Sequence, residues 1–166
     1  MPTTFQLFDP DQQPVLISAA PFDPEAALRA FRQGRPDAGA VVSFLGQMRD
    51  YNEGDTITAM ALEHYPAMTT KSLQAIIAQA KARWPVSAVA VIHRVGLLYP
   101  EDPIVMVLVA GAHRGDSFRA CEFVIDYLKT AAPFWKREQL QNGCWRWVEG
   151  RDSDANATAR WLNPAP

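Results

Sequence analysis

Cysteine is scarce in this chain. Cys121 and Cys144 are the only two among 166 residues, and they form no C-x-x-C pair. A structural zinc site needs more ligands at close spacing, so the pattern reads as two reduced thiols. Histidine is equally thin: His64, His93 and His113 are too scattered for a metal motif. Long apolar runs are missing, and none reaches the roughly 18 residues of a membrane span. The opening MPTTFQLFDP has no basic region followed by an apolar stretch, so no signal peptide is expected. G-x-x-x-x-G-K-[ST], G-x-G-x-x-G and G-x-S-x-G are all absent, which sets nucleotide hydrolysis, hydride transfer and serine hydrolysis aside. Nor is one sign of charge in excess: 16 Lys and Arg stand against 18 Asp and Glu, a formal charge of −2. That balance argues against wholesale attraction to nucleic acid or membrane, but it permits a local basic pocket. The expectation is a cytoplasmic protein with neither kind of partner.

What is present is ordinary material for a folded domain: 48% apolar and 20% charged residues. The length suits one domain over 1–166, with a small β-rich excursion. Strand and helix patterns alternate, pointing to an α/β or α+β fold. Asp23 is a candidate N-cap, Pro24 suits the first helical position, and Gly34 can end that helix. Ala38–Gln47 and Ile57–Tyr65 read as strands around a polar turn at Asp50–Asp55. Leu73, Ile76, Ile77 and Ala80 keep helical period over 67–83, and Pro85 closes that helix. Ala88–Val95 and Pro103–Ala110 read as strands joined by a short connection, the second apolar on both faces and therefore interior. Phe118, Cys121, Ile125 and Leu128 mark one face of a third helix starting near Asp116 and stopped by Pro133. Phe134–Arg137 and Trp145–Glu149 can pair across Gln141-Asn-Gly143. Ser153–Leu162 can form a short final helix.

Two lysines frame the candidate chemistry. Lys129 falls in the last turn of the third helix, where a cation complements the helix dipole. Lys136 lies beyond the Pro133 break, past Phe134 and Trp135. A dry setting lowers a lysine from its ordinary value of about 10.4 toward useful acid–base chemistry. On pattern alone, two solvated lysines around a helix end remain the commoner arrangement. His113-Arg114, between an apolar strand and a helix, suits an anion, because free N–H groups and the helix dipole point outward there. Gly115 allows a ligand to approach, and Arg114 can fork onto a phosphate. The same pair can equally decorate a loop. Arg49, Arg137, Arg146 and Arg151 would enlarge a basic pocket if they converged. His64 and His93 read as satisfied structural histidines. On these residues alone, a non-catalytic regulatory module that binds a phosphate ligand leads over an enzyme.

Five segments go further. LEHYPAMT at 62–69, RWPVSAVAVIHRVG at 83–96, GAHRGDSF at 111–118, DYLKTAAPFWKRE at 126–138 and WVEGRDSD at 147–154 occur in order. Together they resemble the catalytic (large) subunit of molybdopterin synthase, over most of the chain from about Ala38 to Trp161. The resemblance implies an α+β fold, the α/β hammerhead with a small antiparallel β subdomain. It implies a sulfurtransferase of molybdenum cofactor biosynthesis, converting cyclic pyranopterin monophosphate (precursor Z) to molybdopterin. The sulfur would come from the C-terminal thiocarboxylate of a small ubiquitin-like carrier subunit. Two large subunits would form a homodimer, with a carrier at each end making a heterotetramer. Neither metal nor cofactor is implied.

Residue by residue, Lys129 and Lys136 match the family's two essential lysines. His113 and Arg114 match its substrate-pocket pair, Arg49 a pocket arginine and Phe44 a nearby aromatic. Arg151 matches an arginine directed to the neighbouring protomer's site. The chemistry suggests Lys136 at the carrier tail, holding and polarising it, and Lys129 as acid–base on the pterin side, with the reverse assignment open. Nothing is transferred to Cys144.

Overall fold

The computed structural model describes residues 9–150 and 152–162. Its centre is the strand that the sequence marks as interior. Nine strands and four helices are formed by these residues: β1 Val15–Ser18, α1 Pro24–Arg32, β2 Ala40–Gln47, β3 Tyr51–Asn52, β4 Asp55–His64, α2 Pro66–Arg83, β5 Val86–Arg94, β6 Gly96–Leu98, β7 Pro103–Gly111, α3 Arg114–Ala131, β8 Phe134–Leu140, β9 Trp145–Val148 and α4 Asp152–Ala159. The first sheet runs β1-β5-β7-β2. β1 lies parallel to β5, and the other pairs are antiparallel.

Alternation along β7 builds two cores at once. Val105, Val107 and Val109 pack with Leu73, Ile76, Phe123 and Val124 of α2 and α3. Met106, Leu108 and Ala110 face the other way, onto Ala27 and Phe31 of α1. Successive strand side chains point to opposite faces, so a strand covered on both sides must be apolar throughout. Asp23 caps α1 by accepting from the N–H groups of Glu25 and Ala26 at 3.0 and 3.1 Å. Those bonds hold its carboxyl below the usual range.

The second sheet is antiparallel and curled, in the order β3-β4-β8-β9, with β6 also on β4. The β3–β4 turn carries positive φ at Glu53 and Gly54, 52° and 88°. Two successive residues in that region make the tight turn whose twist suits a hairpin. Inside the curl sit Met48, Ile57, Met60, Leu62 and Leu98. The fold is therefore α+β, a mixed sheet with helices joined to a small antiparallel β subdomain. No helix among the described residues is long and apolar enough to cross a membrane.

Three features depart from the sequence reading. β1 has no counterpart in it. The connection after β5 is not a plain loop, because Gly96–Leu98 pairs with Leu62–Met60 of β4 and ties the two sheets together. The third helix starts at Arg114, two residues before Asp116, with His113 as a cap lacking a side-chain bond. Its first turn is secured from inside, by the Ser117 hydroxyl donating to the His113 carbonyl at 3.0 Å.

Candidate active site

Strand geometry selects which side chains of β8 meet. Positions two apart share a face, so Phe134, Lys136 and Glu138 point one way while Trp135 and Arg137 point the other. The first three line a cavity of about 430 Å³. Lys129 enters the same cavity from the last turn of α3. The break at Pro133 turns the chain between them, so two lysines seven residues apart come from a helix and a strand. β2 supplies Phe44 and Gly46, and the segment after it supplies Arg49. Gly46 lies so close to Val105 that an added Cβ would stand 2.8 Å from its Cγ1. A side chain there would push on the core strand β7.

Lys136 is held by a carboxylate. Its Nζ lies 4.0 Å from Glu138 Oε2, and the Glu138 side chain is 5% exposed. Glu138 Oε1 accepts from Asn52 Nδ2 at 2.8 Å and lies 3.7 Å from Arg146 Nη2. Arg146 in turn donates to Asp55 at 2.7 Å and to the Asn52 carbonyl at 3.3 Å. The Asp55 bond is the main reason that Arg146 is raised above its usual value. Burying a carboxylate costs free energy unless donors surround it, and here three groups from β3, β8 and β9 do so.

His93 forms another wall. It is buried, and its ring stacks on Phe134 at 3.9 Å between centroids and 15° between planes. Its Nδ1 sits 2.7 Å from the Arg94 carbonyl. A carbonyl only accepts, so Nδ1 carries the proton. Burial pushes His93 down to about 4; the Arg94 bond opposes this, and the charges of Lys129 and His64 add to it. The ring is neutral at physiological pH. Among the described residues, no group of three or more His, Cys, Asp or Glu side chains could hold a metal ion.

The comparisons with known proteins agree with one another. The family model described as MoaE protein matches residues 17–131. The chain belongs to the MoaE family. Molybdopterin synthase catalytic subunit from Ralstonia nicotianae is 52% identical over 147 residues, covering 89% of this chain and 83% of that one. A MoaE protein structure from Burkholderia ambifaria aligns with a TM-score of 0.76 at 49% identity, covering 90% and 98% of the two chains. A molybdopterin synthase structure from Staphylococcus aureus aligns with a TM-score of 0.73 at 30% identity, covering 83% and 97%.

Of the residues that MoaE resemblance singles out, the fold brings Lys129, Lys136, Arg49 and Phe44 to one cavity. His113 and Arg114 do not line it. They open α3, whose last turn carries Lys129, roughly 22 Å away along the helix axis. Arg151 lies outside the described residues. Glu149 and Asp154 also line the cavity, so its cations face acidic groups as well. Sequence reading missed Glu138 and Asn52; His93, read there as a satisfied structural histidine, is buried and bonded to the Arg94 carbonyl and also lines the cavity. The two-residue spacing of Lys136 and Glu138 on a strand was a usable signal for the first. Nothing local pointed to Asn52, which meets Glu138 across 86 positions.

Glu138→Gln keeps an acceptor for Asn52 and removes the charge. Lys136 and Arg146 are each about one-third exposed, 34% and 30%, so water takes over part of the carboxylate's work. The expected stability loss is about 1–2 kcal/mol by urea denaturation, with turnover falling about tenfold as Lys136 loses its anchor. Wild-type turnover in a variant of unchanged stability would show that Glu138 does not position Lys136.

Proposed function

We propose that this chain is the catalytic subunit of a molybdopterin synthase, converting precursor Z to molybdopterin with sulfur from a small carrier subunit. The observation that carries this reading is the convergence of Lys129, Lys136 and Arg49 on one cavity in a MoaE-family chain. The substrate is an anionic cyclic phosphate, which cationic side chains suit. In each round the thiocarboxylate sulfur forms a C–S bond at a side-chain carbon of the pterin as a C–O bond there breaks. A phosphate oxygen leaves as the cyclic phosphate opens in one round, and a hydroxyl leaves as water in the other. An acyl thioester to the carrier results. Water then cleaves the acyl C–S bond, releasing a carrier carboxylate and a substrate thiolate. Two such rounds give the dithiolene. The attack of water puts negative charge on the acyl oxygen, and a fixed cation lowers that barrier. Lys136 takes this role at the carrier tail, with Lys129 handling protons on the pterin side.

His113 and Arg114 have a place in this reading only through a second copy. Their distance from Lys129 along α3 keeps them out of their own chain's cavity, so in a homodimer they would serve the neighbour's. Two carriers then complete a heterotetramer.

Reconstitution tests the reading. The purified chain, precursor Z and a carrier ending in a thiocarboxylate should give dithiolene product, read as a molybdopterin derivative by fluorescence. A carrier ending in an ordinary carboxylate should give none. Tight precursor binding without any product from the thiocarboxylate form would leave only a phosphate-binding module.

A further inference from the structure

Among the described residues, the hydrogen bond of the buried cavity histidine falls on one of its two ring nitrogens. Nδ1–H of His93 is committed to the Arg94 carbonyl at 2.7 Å. That bond fixes the tautomer and leaves Nε2 as a lone-pair acceptor. The stack on Phe134 fixes the plane of the ring, and His64 lies beyond Phe134 at 6.4 Å between centroids. His93 lines the cavity together with Lys129, and the two are close enough for the Lys129 charge to bear on the ring.

We propose that His93 is the positioning residue for Lys129: its Nε2 accepts a hydrogen bond from the Lys129 ammonium and aims it into the cavity. This rests on the reading of Lys129 as a reacting group. The chemistry favours a neutral partner. A carboxylate at this buried wall would carry its own desolvation cost. A neutral imidazole supplies a directed acceptor without one. Since burial keeps the ring neutral down to about 4, the acceptor is present throughout the physiological range. Lys136 and Lys129 thus have different anchors, a carboxylate for the first and an imidazole for the second. A flexible four-carbon chain needs such an anchor to hold its end in one place.

The test separates the two nitrogens. His93→Asn places an amide N–H where Nδ1 is and supplies nothing at the Nε2 position. His93→Gln reaches that position with an amide oxygen. The chain has four lysines, Lys71, Lys81, Lys129 and Lys136. Selective 13C-labelling of lysine therefore gives a spectrum simple enough to assign, with exposed Lys71 and Lys81 as internal standards. In the full chain with its carrier, His93→Asn should move the Lys129 signal and lower kcat about ten- to a hundredfold, with KM for precursor Z nearly unchanged. His93→Gln should return the Lys129 signal toward its original place and restore most of the rate. An unmoved Lys129 signal in His93→Asn overturns the proposal, as does equal loss of rate and stability in both variants, which would mark His93 as core packing. If Lys129→Ala keeps full turnover, the catalytic reading of Lys129 fails, while the NMR result still reports on the His93–Lys129 contact.

Discussion

Lys136→Ala is expected to lower the single-turnover rate of dithiolene formation by about a hundred- to a thousandfold, the usual cost of removing one preorganised donor from a developing oxyanion. The loss should fall on the hydrolytic half of the reaction. With the acyl oxygen no longer polarised, the covalent carrier–pterin adduct should accumulate and be visible by mass spectrometry. Lys129→Ala should slow the reaction by about a hundred- to ten-thousandfold, the range for a general acid–base group, but without that adduct. Its carrier should remain largely as thiocarboxylate. Adduct in Lys129→Ala and none in Lys136→Ala would exchange the two roles. Near-normal turnover by both variants would sink the assignment of either lysine. Lys136→Arg is informative beside them: it keeps the charge within reach of Glu138 but replaces a compact ammonium with a broad fork. Partial activity there would place the requirement on charge, whereas complete loss would place it on shape.

The reasons these lysines were legible differ from the reasons their surroundings were not. Lys129 is readable because the apolar face Phe118, Cys121, Ile125, Leu128 fixes the helix, and Pro133 fixes its end. Of that face, Cys121 and Leu128 are buried, while Phe118 is 61% exposed. Cys121 is a packing residue, with burial raising its thiol to about 12. β7 was readable for a similar reason, since eight apolar residues in a row leave a strand few places but the middle of a sheet. β6 was not readable, because three residues carry no period and their partner strand lies more than thirty positions earlier. Helix α3 begins at Arg114, two residues earlier than expected, with no capping side chain to mark its start in the sequence. The site was legible as a set of residue types, and the roles of those residues came from family resemblance. The substrate-pocket residues that the resemblance implies, Arg49, His113 and Arg114, show the difference. Sequence order says nothing about which end of an 18-residue helix faces a cavity, and the fold places Arg49 with the lysines and the other two at the far end.

Phe123→Ala is expected to be the costliest change outside the cavity, about 3–5 kcal/mol at fixed protein concentration. Phe123 is fully buried and meets three rings: Trp84 at 5.4 Å, Tyr127 at 4.5 Å and Trp161 at 5.6 Å. The Arg83 guanidinium stands 4.7 Å above it. The cluster joins the end of α2, the middle of α3 and the residues after α4. Removing the central ring leaves a cavity lined by large, stiff side chains that collapse poorly, so the cost belongs at the upper end of the usual range. Phe123→Leu, which keeps most of the volume, should cost about 1–1.5 kcal/mol. The effect should also reach the active site. Trp161 is fastened by its indole N–H to Asp126 at 2.7 Å, and its carbonyl accepts from Arg83 at 2.8 Å. Loosening Trp161 loosens the docking of α4 on α3, and α4 brings Asp154 to the cavity. KM for precursor Z should therefore rise in Phe123→Ala even at temperatures where the protein stays folded. A large stability loss with unchanged KM would mean that α4 stays docked through Thr158, whose hydroxyl bonds Thr130 and the Asp126 carbonyl at 2.9 and 3.0 Å. Phe123→Ala combined with Thr158→Val separates the two attachments: if both hold α4, the double variant should raise KM by more than the product of the single effects.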